Sequence, residues 1–192
     1  MIARRCILIL LSGLLVLSLR PAHAVEVAGV KVPETVRFAG QDLRLLGSGL
    51  RTRFFFKVYV ASLYTPDRPA SVTTLIDSGS PCVITLHLLR DVSANKLTDA
   101  MADGLRANTA AAELAPLRPG IEKLIAVMQE VGEAKTGTLV TLGFTPYSVN
   151  IAVNGTDRGR VAIPGLSRAM LRVWLGDHPV QESLKRALLG NN

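Results

Sequence analysis

The segment Phe54–Tyr64 constrains the fold of this chain more than any other stretch. It reads Phe-Phe-Phe-Lys-Val-Tyr-Val-Ala-Ser-Leu-Tyr, dense in aromatic and β-branched side chains, and so predicts a long strand within a sheet. Side chains alternate along a strand. Phe54, Phe56, Val58 and Val60 are therefore expected on one face, and Phe55, Lys57, Tyr59 and Ala61 on the other. The first face is apolar and the second mixed, so the second is where a polar group would project into a cavity.

The rest of the first half also reads as strands. Val25–Val32 alternates, and Asp42–Leu46 leads into Gly47-Ser48-Gly49. Cys82–Leu89 and Thr138–Phe144 are further strands, and Ser148–Val153 with Arg160–Ile163 forms a hairpin around the turn-rich stretch 154–159. Helices are expected over Ser71–Asp77, Ser93–Arg106 and Ile121–Val131. In the second of these, Leu97, Met101 and Leu105 recur every four residues and mark a buried stripe. Two more helices, Leu166–Leu175 and one from Pro179 to Gly190, close the chain. Neighbouring strands and grouped helices favour an α+β fold with a large antiparallel sheet over alternating parallel units.

Residues 1–24 have the three parts of an export signal: a basic start at Arg4-Arg5, an apolar run from Cys6 to Leu19, and the small-x-small sequence Ala22-His23-Ala24. The run has 14 residues, short of the roughly 20 that span a bilayer as a helix. Cleavage after Ala24 would leave one domain, residues 25–192, in the periplasm or secreted, with no stable membrane anchor. That domain has 19 basic and 15 acidic residues, a net charge of +4 rather than the +7 of the whole chain. The bases are scattered, without the clustering of a nucleic-acid surface, so nucleic acid is not an expected partner. Any protein partner is left open.

One cysteine, Cys82, remains after cleavage, so no internal disulfide can form, and its apolar surroundings predict burial. His87 and His178 are far apart, with no cysteine or carboxylate at ligand spacing, so neither a metal nor a cofactor is expected.

Two segments together carry a resemblance. One is Leu46-Gly47-Ser48-Gly49-Leu50-Arg51 with Phe56–Tyr64, and the other is Leu166–Gly176 continuing through Ser183–Gly190. In order and spacing they resemble the chalcone isomerase superfamily, and within it the bacterial exported chalcone isomerase-like branch. The resemblance implies an open-faced β-sandwich, a large antiparallel sheet backed by helices with a ligand cleft between them. The isomerases stabilise an enolate with polar groups in that cleft. Arg51 matches their cleft arginine, while Tyr59 falls where they carry a threonine, Asn95 near their catalytic tyrosine and Ala102 near a cleft asparagine. Ser167 keeps a small hydroxyl residue at the start of the penultimate helix.

Retention of the arginine beside loss of its polar partners favours binding over isomerisation. Plastid members of the superfamily grip a fatty-acid head group with an arginine and a tyrosine. A guanidinium suits this role because its planar fork of donors fits a carboxylate and stays charged in an apolar cleft. The expectation is thus a non-catalytic protein holding a small amphipathic anion, such as a fatty acid, at Arg51, Tyr59 and Ser167. The alternatives are an intramolecular lyase of the chalcone isomerase type and a structural or partner-binding envelope domain with a filled cleft. Ser167 has a second reading as a helix N-cap, and Trp174 with Met170 and Leu171 reads as core.

Overall fold

The computed structural model describes residues 24–191; the expected export signal lies outside the described residues apart from Ala24. Eleven strands run β1 (Ala24–Val27), β2 (Val30–Pro33), β3 (Thr35–Phe38), β4 (Gln41–Arg53), β5 (Phe56–Thr65), β6 (Cys82–Leu88), β7 (Val92–Ser93), β8 (Glu133–Ala134), β9 (Leu139–Thr145), β10 (Ser148–Val153) and β11 (Thr156–Val161). The α-helices are α1 (Val72–Asp77), α2 (Ala94–Asn108), α3 (Ala111–Leu114), α4 (Arg118–Val131), α5 (Leu166–Leu175) and α6 (Glu182–Leu188). Seven strands form one antiparallel sheet in the order β11-β10-β9-β6-β5-β4-β3. This is the expected α+β fold, a large antiparallel sheet backed by helices.

Chain order explains where the cleft lies. β6 and β9 are hydrogen-bonded neighbours, yet α2, α3 and α4 are inserted between them in sequence. The insertion folds back over one face of the sheet and is pinned at its base by the short β7–β8 pair, Val92 opposite Ala134. α5 packs against α2 and β10, and α6 against β4. The main core, with Ala61, Leu63, Ile84, Leu105, Met170 and Trp174 buried, sits between sheet and helices. A smaller core lies on the opposite face, where Val30 and Val32 of the β1–β2 hairpin cover Leu43, Val60, Tyr64 and Val83.

Gly47 and Gly49 belong to this packing. A Cβ on Gly47 would come 2.1 Å from the carbonyl oxygen of Ala187, and one on Gly49 2.6 Å from the Ala187 Cβ. Helix α6 therefore rests on bare strand backbone, and any larger residue there displaces it.

Several boundaries differ from the sequence expectation. Val25–Val32 is two strands turning at Ala28-Gly29, and the hairpin expected over 154–159 turns tightly at Asn154-Gly155, with β11 starting at Thr156. The final helix begins at Glu182, because the N–H of Val180 is bonded to the carbonyl of Val173 and Gln181 is the N-cap. β5 begins at Phe56, and Phe54-Phe55 is the turn itself. The strict division of faces along β5 also fails. Pairing steps from Arg51–Tyr59 to Thr52–Lys57, so Val58 is an extra residue in a bulge. The alternation changes phase there, and Phe56, Val58 and Tyr59 all border one basin.

Candidate functional site

Between sheet and helices lies an apolar cavity of about 90 Å³, walled by Leu86 and Leu142 from the sheet, Met101 and Leu124 from α2 and α4, and Met170 and Trp174 from α5. Such a lining holds no ordered water readily, since a water needs two to four polar partners. Tyr59 stands at its end. The side chain is 8% exposed, and its Oη accepts a hydrogen bond from Trp174 Nε1 at 3.1 Å. The oxygen acts there as an acceptor, which leaves the hydroxyl's own proton available to a ligand. Burial pushes the Tyr59 pKa above its ordinary value, while the Trp174 N–H and the nearby Arg51 charge pull it back in part. The phenol is therefore a neutral donor at physiological pH.

Tyr59 also borders a second, more open basin of about 410 Å³, which shares Leu97, Ala100 and Val180 with the cavity and so forms its mouth. Arg51, Arg53, Arg90 and Lys96 surround this basin, with Asp91 as its acid. Asp91 is already engaged: it accepts from the Thr136 N–H at 2.8 Å, the Thr136 hydroxyl at 3.0 Å and Lys135 Nζ at 3.2 Å. Those contacts, the backbone N–H first, hold its carboxyl below the usual range. Among the described residues no ion pair forms at Arg51, Arg53, Arg90 or Lys96. The mouth is thus electropositive, and the depth behind it is apolar.

Arg51 is positioned by both strand and helix. It lies opposite Tyr59 in the β4–β5 register. Its guanidinium is half-buried, donating to the carbonyl of Thr52 and, at 3.2 Å, to Gln181 Oε1. Gln181 in turn accepts from the Thr52 N–H at 2.9 Å and donates to Leu50 O at 3.3 Å. The side chain is therefore fixed at the mouth, with guanidinium donors left over for an anion.

The sequence-predicted residues separate into two places. Arg51 and Tyr59 come together at the mouth. Ser167 does not line it: its hydroxyl is buried and donates to Thr145 O at 2.8 Å and Ser148 O at 3.0 Å, tying α5 to the β9–β10 turn. It is not a helix cap either, since the N-cap of α5 is Gly165. Asn95 is exposed, its Oδ1 accepting from Gln129 Nε2 at 2.9 Å, and Ala102 borders a separate surface depression with Leu114 and Arg118. Trp174 is core as expected, yet it also orients Tyr59. Neither that role nor that of Gln181 is visible in the sequence, because both depend on side chains more than 100 residues away. Cys82 is fully buried, and burial pushes its thiol up to about 12. Among the described residues no group of three His, Cys, Asp or Glu side chains could hold a metal.

The comparisons agree with this architecture. A solved structure of a fatty-acid binding protein from Arabidopsis thaliana superposes with a TM-score of 0.68, at 16% identity, covering 85% of this chain and 93% of that one. Among curated proteins no sequence match is found. The profile described as chalcone isomerase-like matches residues 24–190. An antiparallel sheet backed by helices and this match across nearly the whole described chain lead to one conclusion: the chain belongs to the chalcone isomerase-like family.

Proposed function

We propose that this protein is an exported, non-catalytic carrier of a small amphipathic anion, with a fatty acid the class that fits best. The carrying observation is the pairing of a fixed, half-buried Arg51 with the free phenol proton of Tyr59 at the mouth of a predominantly apolar cavity. A carboxylate at the mouth would receive charge-assisted hydrogen bonds from Arg51 and a neutral one from Tyr59. Its alkyl chain would lie among Leu86, Leu97, Leu124 and Met128, gaining about 0.8 kcal/mol per buried methylene. The likeness to a fatty-acid binding protein supports the same ligand class.

Isomerisation has less support. No hydroxyl stands in the side chain of Asn95 and no amide in that of Ala102, so the isomerases' enolate-binding set is reduced here to Arg51, with Tyr59 in place of their threonine. An open cavity likewise disfavours a structural domain with a filled cleft. Export rests on the composition of residues 1–24.

The reading is tested by displacement of a fluorescent fatty acid from purified protein and from an Arg51→Ala variant. Saturable binding that weakens about ten- to a hundredfold in the variant is expected, the value of a lost hydrogen bond to a charged group. Equal binding by both proteins, or none by either, overturns it. Acceleration of chalcone ring closure above the buffer rate would revive the isomerase reading.

A further inference from the structure

The β4–β5 hairpin ends in the most exposed apolar group of the described residues. Phe54, Phe55 and Phe56 are 85%, 100% and 59% exposed, and they are three of the five phenylalanines in the chain. Full exposure of a phenylalanine forgoes roughly 1.5–3 kcal/mol of burial. The backbone makes the choice more pointed. The hairpins at Ala28-Gly29, Ala39-Gly40 and Asn154-Gly155 each put a small residue at φ +50° and follow it with a left-handed glycine, whereas here the bulky Phe54 has φ +54° and Phe55 follows it. A bulky side chain in that region is costly, and no packing contact offsets it at 85% exposure. Folding alone would favour Asn or Gly at this turn.

Charge surrounds the rings. Arg53 and Lys57 flank them in sequence, Arg90 stacks on the Phe56 ring at 4.6 Å from its centroid, and Lys96 faces the same basin. None of the four is in an ion pair among the described residues. The acids on this side are Asp91, held by Lys135 and Thr136, Asp103, paired with Arg106, and Asp99, one turn after Lys96 on α2. Aromatic rings at a tip inside a belt of unpaired cations match a bilayer interface, where apolar groups enter the acyl boundary and cations meet anionic head groups.

We propose that the Phe54–Phe56 tip docks this protein reversibly on an anionic lipid bilayer, with the cavity mouth facing the membrane. Phe54, Phe56 and Arg90 belong both to the tip and to the basin leading into the cavity. A docked protein would therefore open its apolar interior toward the acyl region rather than toward water. The proposal goes beyond ligand binding and does not depend on it: the tip would dock whether or not the cavity holds an anion.

The test is co-sedimentation of residues 25–192, the chain expected after cleavage, with vesicles of mixed phosphatidylglycerol and phosphatidylcholine, and with phosphatidylcholine alone. Binding to the anionic vesicles is expected, falling as salt is raised because exposed charges are screened. A Phe54→Asn, Phe55→Ser variant should lower the partition coefficient at least about tenfold. Its melting temperature should be unchanged or higher, since Asn tolerates the left-handed backbone better than Phe. An Arg53→Gln, Lys57→Gln variant should lose several-fold in binding and most of the salt dependence. Equal sedimentation of the wild type and the phenylalanine variant, or no sedimentation of either with anionic vesicles, overturns the proposal. Concentration-dependent self-association abolished by the phenylalanine substitutions, without vesicle binding, would overturn it in favour of a second copy of the chain.

Discussion

Trp174 Nε1 lies 3.1 Å from Tyr59 Oη, a hydrogen bond between helix α5 and strand β5 across the end of the apolar cavity. It joins residues 115 positions apart and engages the phenol oxygen as an acceptor, which leaves its proton to donate. Tyr59→Phe should cost about 1–3 kcal/mol, because it strands a buried indole N–H. Adding Trp174→Phe should cost less than the sum of the two single changes, by about 0.5–3 kcal/mol. Urea denaturation of the four proteins of this cycle measures the coupling, and strict additivity would mean that the bond contributes nothing.

Three buried groups set the alkaline limit of stability. Burial raises Cys82 from 9.0 and Tyr64 from 10.0, each to about 12, and raises Tyr59 as well. For each group the unfolded chain releases its proton first as pH rises. Stability should therefore be level below about pH 9 and fall toward pH 12, by up to about 1.4 kcal/mol per pH unit for each group titrating. Denaturant midpoints from pH 7 upward follow this fall. Cys82→Ala should lower stability overall yet remove the part of the decline between pH 9 and 10.

The contact of α6 with bare strand backbone predicts a steep response at one atom. Gly49→Ala places a methyl 2.6 Å from the Ala187 Cβ. The overlap should cost about 1–3 kcal/mol. Because α6 follows directly from its N-cap Gln181, the shift should also loosen the Arg51–Gln181 bond and weaken ligand binding. Melting temperature and fatty-acid affinity measured on one variant check both outcomes, and an unchanged melting temperature would contradict the packing.

Ala100 is exposed and borders both the cavity and the basin outside it. Ala100→Trp should narrow the mouth without disturbing the core. Stability within about 0.5 kcal/mol of wild type is expected, with ligand association slowed at least tenfold in stopped-flow measurements. Unimpeded association would mean that ligands enter elsewhere.

Much of this was legible before the structure. The dense run ending at Tyr64, the four-residue spacing of Leu97, Met101 and Leu105, and the burial of Cys82 follow from periodicity and apolar content. Arg51 was legible through family resemblance. What stayed hidden depends on geometry that no local pattern records. Phe54-Phe55 carries none of the Gly, Asn or Pro signals of a turn, so it reads as strand. One bulge residue, Val58, reverses the faces of β5 near its start and carries Phe56 to the side of Tyr59. Ser167 has the composition of a cap and the family position of a ligand contact, yet its hydroxyl serves two carbonyls of a turn about 20 residues away.

The central claim is that Arg51 and Tyr59 read an anionic head group while the cavity takes an apolar tail. Titrating the protein with a fatty acid and with the fatty alcohol of equal chain length separates the two terms most directly. The wild type should bind the acid at least tenfold more tightly than the alcohol, and in Arg51→Ala the two affinities should converge with the alcohol's unchanged. Equal affinity of the wild type for acid and alcohol, or a preference for the acid that survives in Arg51→Ala, would contradict the account.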